Sequence, residues 1–192
     1  MKVFGLTGGI GMGKSAAAKL LAARHLPVLD TDEIARALVV PGQPALAEIR
    51  DKFSASVLTA DGQLDRAKLA DLVFRDPAAR QQLEAILHPR IRAAWTRQLA
   101  DWRAAGKSTA IVIIPLLFET AAQTNFAATV CLACSAATQL QRLTARGWTT
   151  DQIAARNRAQ LSIEKKMHLA NFVIWTEGNL EIHAAQLLRV IP

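Results

Sequence analysis

One stretch limits what this chain can fold into: Leu6–Ser15, LTGGIGMGKS, with four glycines followed by a lysine and a serine. From Gly8 to Ser15 it satisfies G-x-x-x-x-G-K-[ST], a loop that needs a strand leading in and a helix leading out. Both flanks are suitable. Lys2–Thr7 (KVFGLT) is apolar enough for a buried strand, and Ser15–Arg24 (SAAAKLLAAR) is a strong helix former. Glycines at 8, 9, 11 and 13, with Met12 and Ala16 beside them, let backbone N–H groups turn inward on a row of phosphates. The helix N-terminus adds partial positive charge. Lys14 is placed to reach the β- and γ-phosphates, and the Ser15 hydroxyl to ligate Mg²⁺. The motif therefore predicts a site for a nucleoside triphosphate.

A loop of this kind also fixes the architecture. Pro27–Asp30 (PVLD) reads as a second strand, so strand, glycine turn, helix and strand follow within about 30 residues, a βαβ unit that implies a parallel sheet. Residues 41–105 carry almost no strand signal. Asp61–Phe74 reads as a turn and a helix, and Asp76–Leu87 as another helix. From Pro89, the spacing of Ile91, Trp95, Leu99 and Trp102 predicts a separate long amphipathic helix ending near Gly106. Alternation then resumes: strand Thr109–Ile114, strand Ala128–Ala133, helix Ala136–Arg146, strand Phe172–Trp175 and a last helix from about Asn179. Between Gly147 and Ala170 lies a polar, arginine-bearing helical stretch without core periodicity.

Composition narrows the partners. The longest apolar run, Ala110–Phe118, is interrupted by Pro115 and falls short of the roughly 20 residues that span a bilayer, so no membrane role is expected. A glycine loop follows the first few apolar residues at once, which does not resemble a secretory leader, and the expected location is cytoplasmic. Formal net charge is +7. Nucleic acid, a membrane surface or a small polyanionic substrate would each explain that excess, and charge alone does not choose. Without a basic tail or interleaved aromatics, single-strand binding gains little support. Cys131 and Cys134 form a C-x-x-C pair inside a strand with no second pair to complete a zinc site. They are expected as reduced, buried thiols.

Two absences favour a small-molecule kinase over a switch or a motor. No asparagine is followed by lysine, as a guanine-specific N-K-x-D element requires, and no aspartate ends the strand before Pro115. Asp30 and Asp32 fall at the end of the second strand, expected beside the end of the first, where ligands of parallel sheets gather. A carboxylate there can orient or deprotonate an attacking hydroxyl. It can equally begin the next helix, and spacing alone leaves both open.

GLTGGIGMGKS, VLDTDEIAR, LEAILHPRIR and PLLFE occur in this order with DGQLDRAKLADLVF and QLQRLTARG between and after them. Together, over about residues 2–186, they closely resemble the dephospho-CoA kinase family. The resemblance implies an α/β fold: a P-loop, nucleoside-monophosphate-kinase-like core with a five-stranded parallel sheet and helices on both faces. That core would cover about residues 1–33, 107–145 and 170–192, with a helical CoA-binding insertion at about 34–106 and a lid at about 146–169. The reaction would carry the γ-phosphoryl group of ATP, with Mg²⁺, to the ribose 3′-hydroxyl of dephospho-CoA. Asp32 matches the catalytic aspartate, working with Lys14 and Arg142, and Asp30 matches its neighbour. On the acceptor side lie His88, Pro89 and Arg92 of HPxxR, together with Leu116, Leu117, Glu119 and Arg66. Arg142 and Arg146, one turn apart and expected on one helix face, would stabilise charge on the phosphoryl group, with Arg156 and Gln160 matching the lid pattern. A monomer or weak homo-oligomer is expected. The readings this one must beat are a related nucleoside or nucleotide kinase and a non-catalytic nucleotide-binding module.

The chain departs from the family pattern at four places. Ala16 stands where threonine is usual and Ile113 where many relatives carry aspartate. Asn171 and Thr176 replace the aspartate and asparagine of ADxVIxNxG, near the expected adenine side.

Overall fold

Apolar runs that are too short and too β-branched for helices set the sheet. In the computed structural model, which describes residues 1–191, they form β1 (Lys2–Gly8), β2 (Val28–Asp30), β3 (Thr109–Ile113), β4 (Ala128–Ala133) and β5 (Phe172–Trp175). All pairings are parallel and the order is β2-β3-β1-β4-β5. Helices cover both faces, as the sequence leads one to expect. Strands covered on both faces read as continuous apolar runs, and β3 is buried along its whole length.

The expectation that β2 lies beside β1 is corrected. β3 sits between them, so Asp30 registers with Ile113, which in turn registers with Leu6. The strand that is nearest in sequence is therefore one place removed in space. β2 and β3 end level with Leu6, two residues before β1 ends at Gly8.

By contacts the chain forms two compact units, Thr31–Ala100 and the remainder. In the remainder, α1 (Lys14–Ala22), α6 (Ala136–Thr144), α7 (Thr150–Arg158), α8 (Ile163–Leu169) and α9 (Leu180–Val190) join the strands. Phe4, Leu6, Leu21, Ile111, Leu132 and Leu187 belong to one core. Side-chain caps mark several helix starts at the residues a reader of sequence would choose. Ser135 opens α6, Thr149 opens α7 in a reciprocal box with Gln152, Ser162 opens α8 and Asn179 opens α9.

The unit Thr31–Ala100 holds α2 (Thr31–Leu38), α3 (Pro44–Phe53), α4 (Arg66–Arg75) and most of α5 (Pro77–Ala104). Val39, Ile49, Val57, Leu69 and Ile86 form its own core. Here a second expectation is corrected: α5 is one helix of 28 residues with Pro89 inside it, not two helices meeting at Pro89. Proline lacks the N–H that would bond back four residues and crowds the preceding turn. The next residue ties this stretch of α5 to α3. The Arg90 guanidinium donates to the Ile86 carbonyl at 2.6 Å and to Glu48 Oε2 on α3 at 2.6 Å. His88 accordingly lies mid-helix and exposed, not at a helix start.

Candidate active site

The glycine loop leaves β1 at the centre of the sheet and enters α1 through Gly13, which is left-handed at φ 92° and ψ 7°. Gly8 is the most constrained of its glycines. Its φ is +147°, and an added Cβ would stand 2.4 Å from the Leu132 carbonyl oxygen of β4. Lys14 curls back over the loop, donating to the carbonyls of Gly8 and Gly9 at 2.8 Å each. Ser15 follows on the exposed side of the first helical turn, with half-buried Ala16 after it. The motif thus has the strand, turn and helix context that phosphate binding needs.

A second layer braces the loop from outside. Gln139 of α6 is buried and donates to the Ile10 carbonyl at 2.8 Å, while exchanging amide hydrogen bonds with Asn157 of α7. Arg142, one turn further along α6, donates to the Gly11 carbonyl at 3.4 Å and to Thr176 Oγ1 at 2.9 Å. It also bonds the Thr176 carbonyl. Arg142 is therefore anchored against the glycine loop. The expected pairing with Arg146 on one helix face is corrected, because α6 ends at Thr144 and Arg146 lies exposed in the turn beyond. Arg156 of α7 is exposed, and its guanidinium lies 4.7 Å from the Trp148 ring centroid, a cation–π distance. A cleft of about 490 Å³ opens beside the loop, lined among others by Gly9, Met12, Gln139, Gln160 and Trp175.

The departures near β5 have a physical account. Asn171 Oδ1 accepts from the Thr129 N–H at 2.8 Å and the Thr129 hydroxyl at 3.0 Å, so the side chain works here as an acceptor, as a carboxylate would. Thr176 is buried and takes the Arg142 bond, and its side chain packs against Gly13. Glu177 follows it, accepting from the Ser135 N–H at 2.8 Å and the Trp175 indole at 2.9 Å. Hydrogen bonding from Ser135 first, then from Thr138 and Trp175, holds its carboxyl down at about 2, against 4.5 for a free glutamate. A lowered folded-state value stabilises the fold above the free value, and that stability disappears as pH falls through the lowered one. Thermal unfolding should therefore lose midpoint between about pH 4.5 and about pH 2, and Glu177→Gln should flatten part of that slope. An unchanged slope in the variant would remove Glu177 from the acid response.

The acidic and acceptor-side residues fall as follows. Asp30 is the half-buried last residue of β2. Asp32 comes two residues later, exposed in the first turn of α2. Arg66 opens α4 just after its cap Asp65, and His88 and Arg92 are exposed one turn apart on α5. Leu116 is half-buried and Leu117 fully buried. Glu119 turns its Oε1 toward the segment before α8, accepting from the Leu161 N–H at 2.9 Å and pairing with Lys166 Nζ at 2.9 Å.

Lys166, Gln139, Asn157 and Glu177 carry these contacts and were not singled out from sequence. Cys131 and Cys134 are free and buried as expected, and burial raises the Cys131 thiol to about 11. Among the described residues no helix is long and apolar enough to cross a membrane.

Comparison with known proteins follows the same lines. A family model described as dephospho-CoA kinase matches residues 2–181. The dephospho-CoA kinase of Anaeromyxobacter dehalogenans is 44% identical over 192 residues, covering 100% of this chain and 91% of that protein. The solved structure of TT1252 from Thermus thermophilus is 32% identical with a TM-score of 0.84, covering 98% of this chain and 95% of that one. The dephospho-CoA kinase from Campylobacter jejuni is 27% identical with a TM-score of 0.71, covering 99% and 96%.

Proposed function

This chain belongs to the dephospho-CoA kinase family, and on that footing we propose that it transfers the γ-phosphoryl group of ATP to the ribose 3′-hydroxyl of dephospho-CoA. The observation that carries the reading is the glycine loop at the end of central β1, with positive φ at Gly8, Gly11 and Gly13 and Lys14 lying over it. In this reading the loop amides and Lys14 take the triphosphate, with Arg142, Arg146 and Arg156 adding positive charge from the side of α6 and α7. The exposed Ser15 hydroxyl fits one ligand of a Mg²⁺ ion otherwise held by phosphate oxygens and water. Asp32 orients the acceptor hydroxyl and takes its proton. Asp30, Arg66, His88, Arg92, Leu116, Leu117 and Glu119 serve the acceptor side, where guanidinium suits the diphosphate. The chain works in the cytoplasm as a monomer or weak homo-oligomer.

The test is ADP release from Mg-ATP with a panel of acceptors: dephospho-CoA, a nucleoside, a nucleoside monophosphate and an oligonucleotide. Release should follow dephospho-CoA. Release that ignores it and follows the nucleoside monophosphate would make this a different kinase. Tight, salt-sensitive oligonucleotide binding without any phosphorylation would make it a binding module.

A further inference from the structure

The segment Ile163–Leu169, IEKKMHL, looks like a solvated helix, yet the side chain of Lys166 is 0% exposed. A buried ammonium is costly unless it is paired and fully hydrogen-bonded. Lys166 Nζ has three oxygen partners: the Pro115 carbonyl at 2.6 Å, Glu119 Oε1 at 2.9 Å and Gln160 Oε1 at 3.2 Å. Two of these acceptors are shared. The Pro115 carbonyl also accepts from the buried Thr7 hydroxyl at 3.1 Å, and Glu119 Oε1 from the Leu161 N–H at 2.9 Å.

These sharings connect three segments through one charged nitrogen. Thr7 immediately precedes Gly8, whose carbonyl takes Lys14. Pro115 and Glu119 bracket the loop after β3. Leu161 and Lys166 belong to the stretch around α8. Cys131 is in register with Thr7 on β4, and burial raises its thiol while the charges of Lys166 and Lys14 pull the other way.

We infer that Lys166 is a positioning residue, which locks the Pro115–Glu119 loop and α8 to the root of the glycine loop so that all three move as one body. It touches no reacting atom. Its effect is to hold Leu116–Glu119 at a fixed offset from the phosphate cradle, and so to set how the acceptor hydroxyl meets the γ-phosphorus. The inference rests on the kinase reading above and fails separately from it. Wild-type protein inactive toward dephospho-CoA would sink that reading, whereas the comparison of variants below tests Lys166.

Lys166→Met should raise KM for dephospho-CoA and lower kcat, together costing about 10²-fold in kcat/KM, as misplacement of a bound reactant does. Mg-ATP affinity measured without acceptor should stay within about threefold, since Lys14 keeps its own contacts. Lys166→Arg, which keeps the charge, should recover most of the loss. Hydrogen exchange in the ligand-free protein supplies a readout apart from activity: amides of residues 116–119 and 163–169 should speed up together in Lys166→Met. If that variant does not fold, Glu119→Gln takes its place, and faster exchange in α8 is the expected result, which a direct acceptor contact of Glu119 would not produce. A folded variant with unchanged KM and unchanged exchange in either segment overturns the inference. So does Glu119→Gln that leaves α8 exchange at the wild-type rate.

Discussion

Asp32→Asn should bind ATP as the wild-type chain does and turn over about 10²-fold more slowly or worse, the usual loss when a general base is removed. The substitution is nearly isosteric and the side chain is exposed in the first turn of α2, so stability should change little. The first turn of a helix favours a negative charge by less than about 1 kcal/mol. Steady-state ADP release with dephospho-CoA, alongside equilibrium ATP binding, separates the two roles that spacing left open. Lower kcat with intact ATP affinity assigns Asp32 to the acceptor hydroxyl. Unchanged turnover with a small shift in unfolding returns it to the helix start.

Gly8→Ala should be the most damaging single methyl group in the chain. At φ +147° an L-residue is strained, and the new carbon would stand 2.4 Å from the Leu132 carbonyl, a backbone atom of the adjacent strand that cannot rotate away. Relief requires β1 and β4 to part at the point where Gly8 registers with Leu132. A cost of about 3 to 5 kcal/mol is expected, or a fall of roughly 10 °C in unfolding midpoint for a chain of this size. Gly147→Ala is the matching control. Its φ is +82° but nothing lies within 4 Å of the added carbon, so only the left-handed backbone penalty of about 1 kcal/mol should appear. Equal midpoints for the two variants would mean that the strand contact is not what demands glycine at position 8.

Much of this architecture was legible because local signals agree with it. The boundaries of β4 and β5 match the apolar runs that predict them, and Ser135 and Asn179 begin helices where their side chains can accept from the first turn. The glycine loop was legible because its chemistry is written in consecutive residues. Strand order was not, since sequence adjacency says nothing of the place β3 takes between β2 and β1. Pro89 misled for a physical reason: proline is favoured at the first helical position and disfavoured inside a helix. Arg90, beside it, ties that stretch of α5 to Glu48 on α3. Lys166 was hidden most deeply. Apolar periodicity finds helices by what they bury, and α8 buries its lysine. Its partners lie at Pro115 and Glu119, some 50 residues earlier.

The central claim is a transfer of phosphate from a triphosphate cradled by Gly8–Ser15 to a sugar hydroxyl. Its most direct measurement uses ATP labelled at the γ-phosphorus, incubated with the purified chain, Mg²⁺ and dephospho-CoA, and asks where the label resides. The account requires it on the ribose 3′-oxygen of the acceptor, in amounts matching the ADP formed and abolished by Lys14→Ala. Label recovered only as inorganic phosphate, or on another acceptor position, would contradict it.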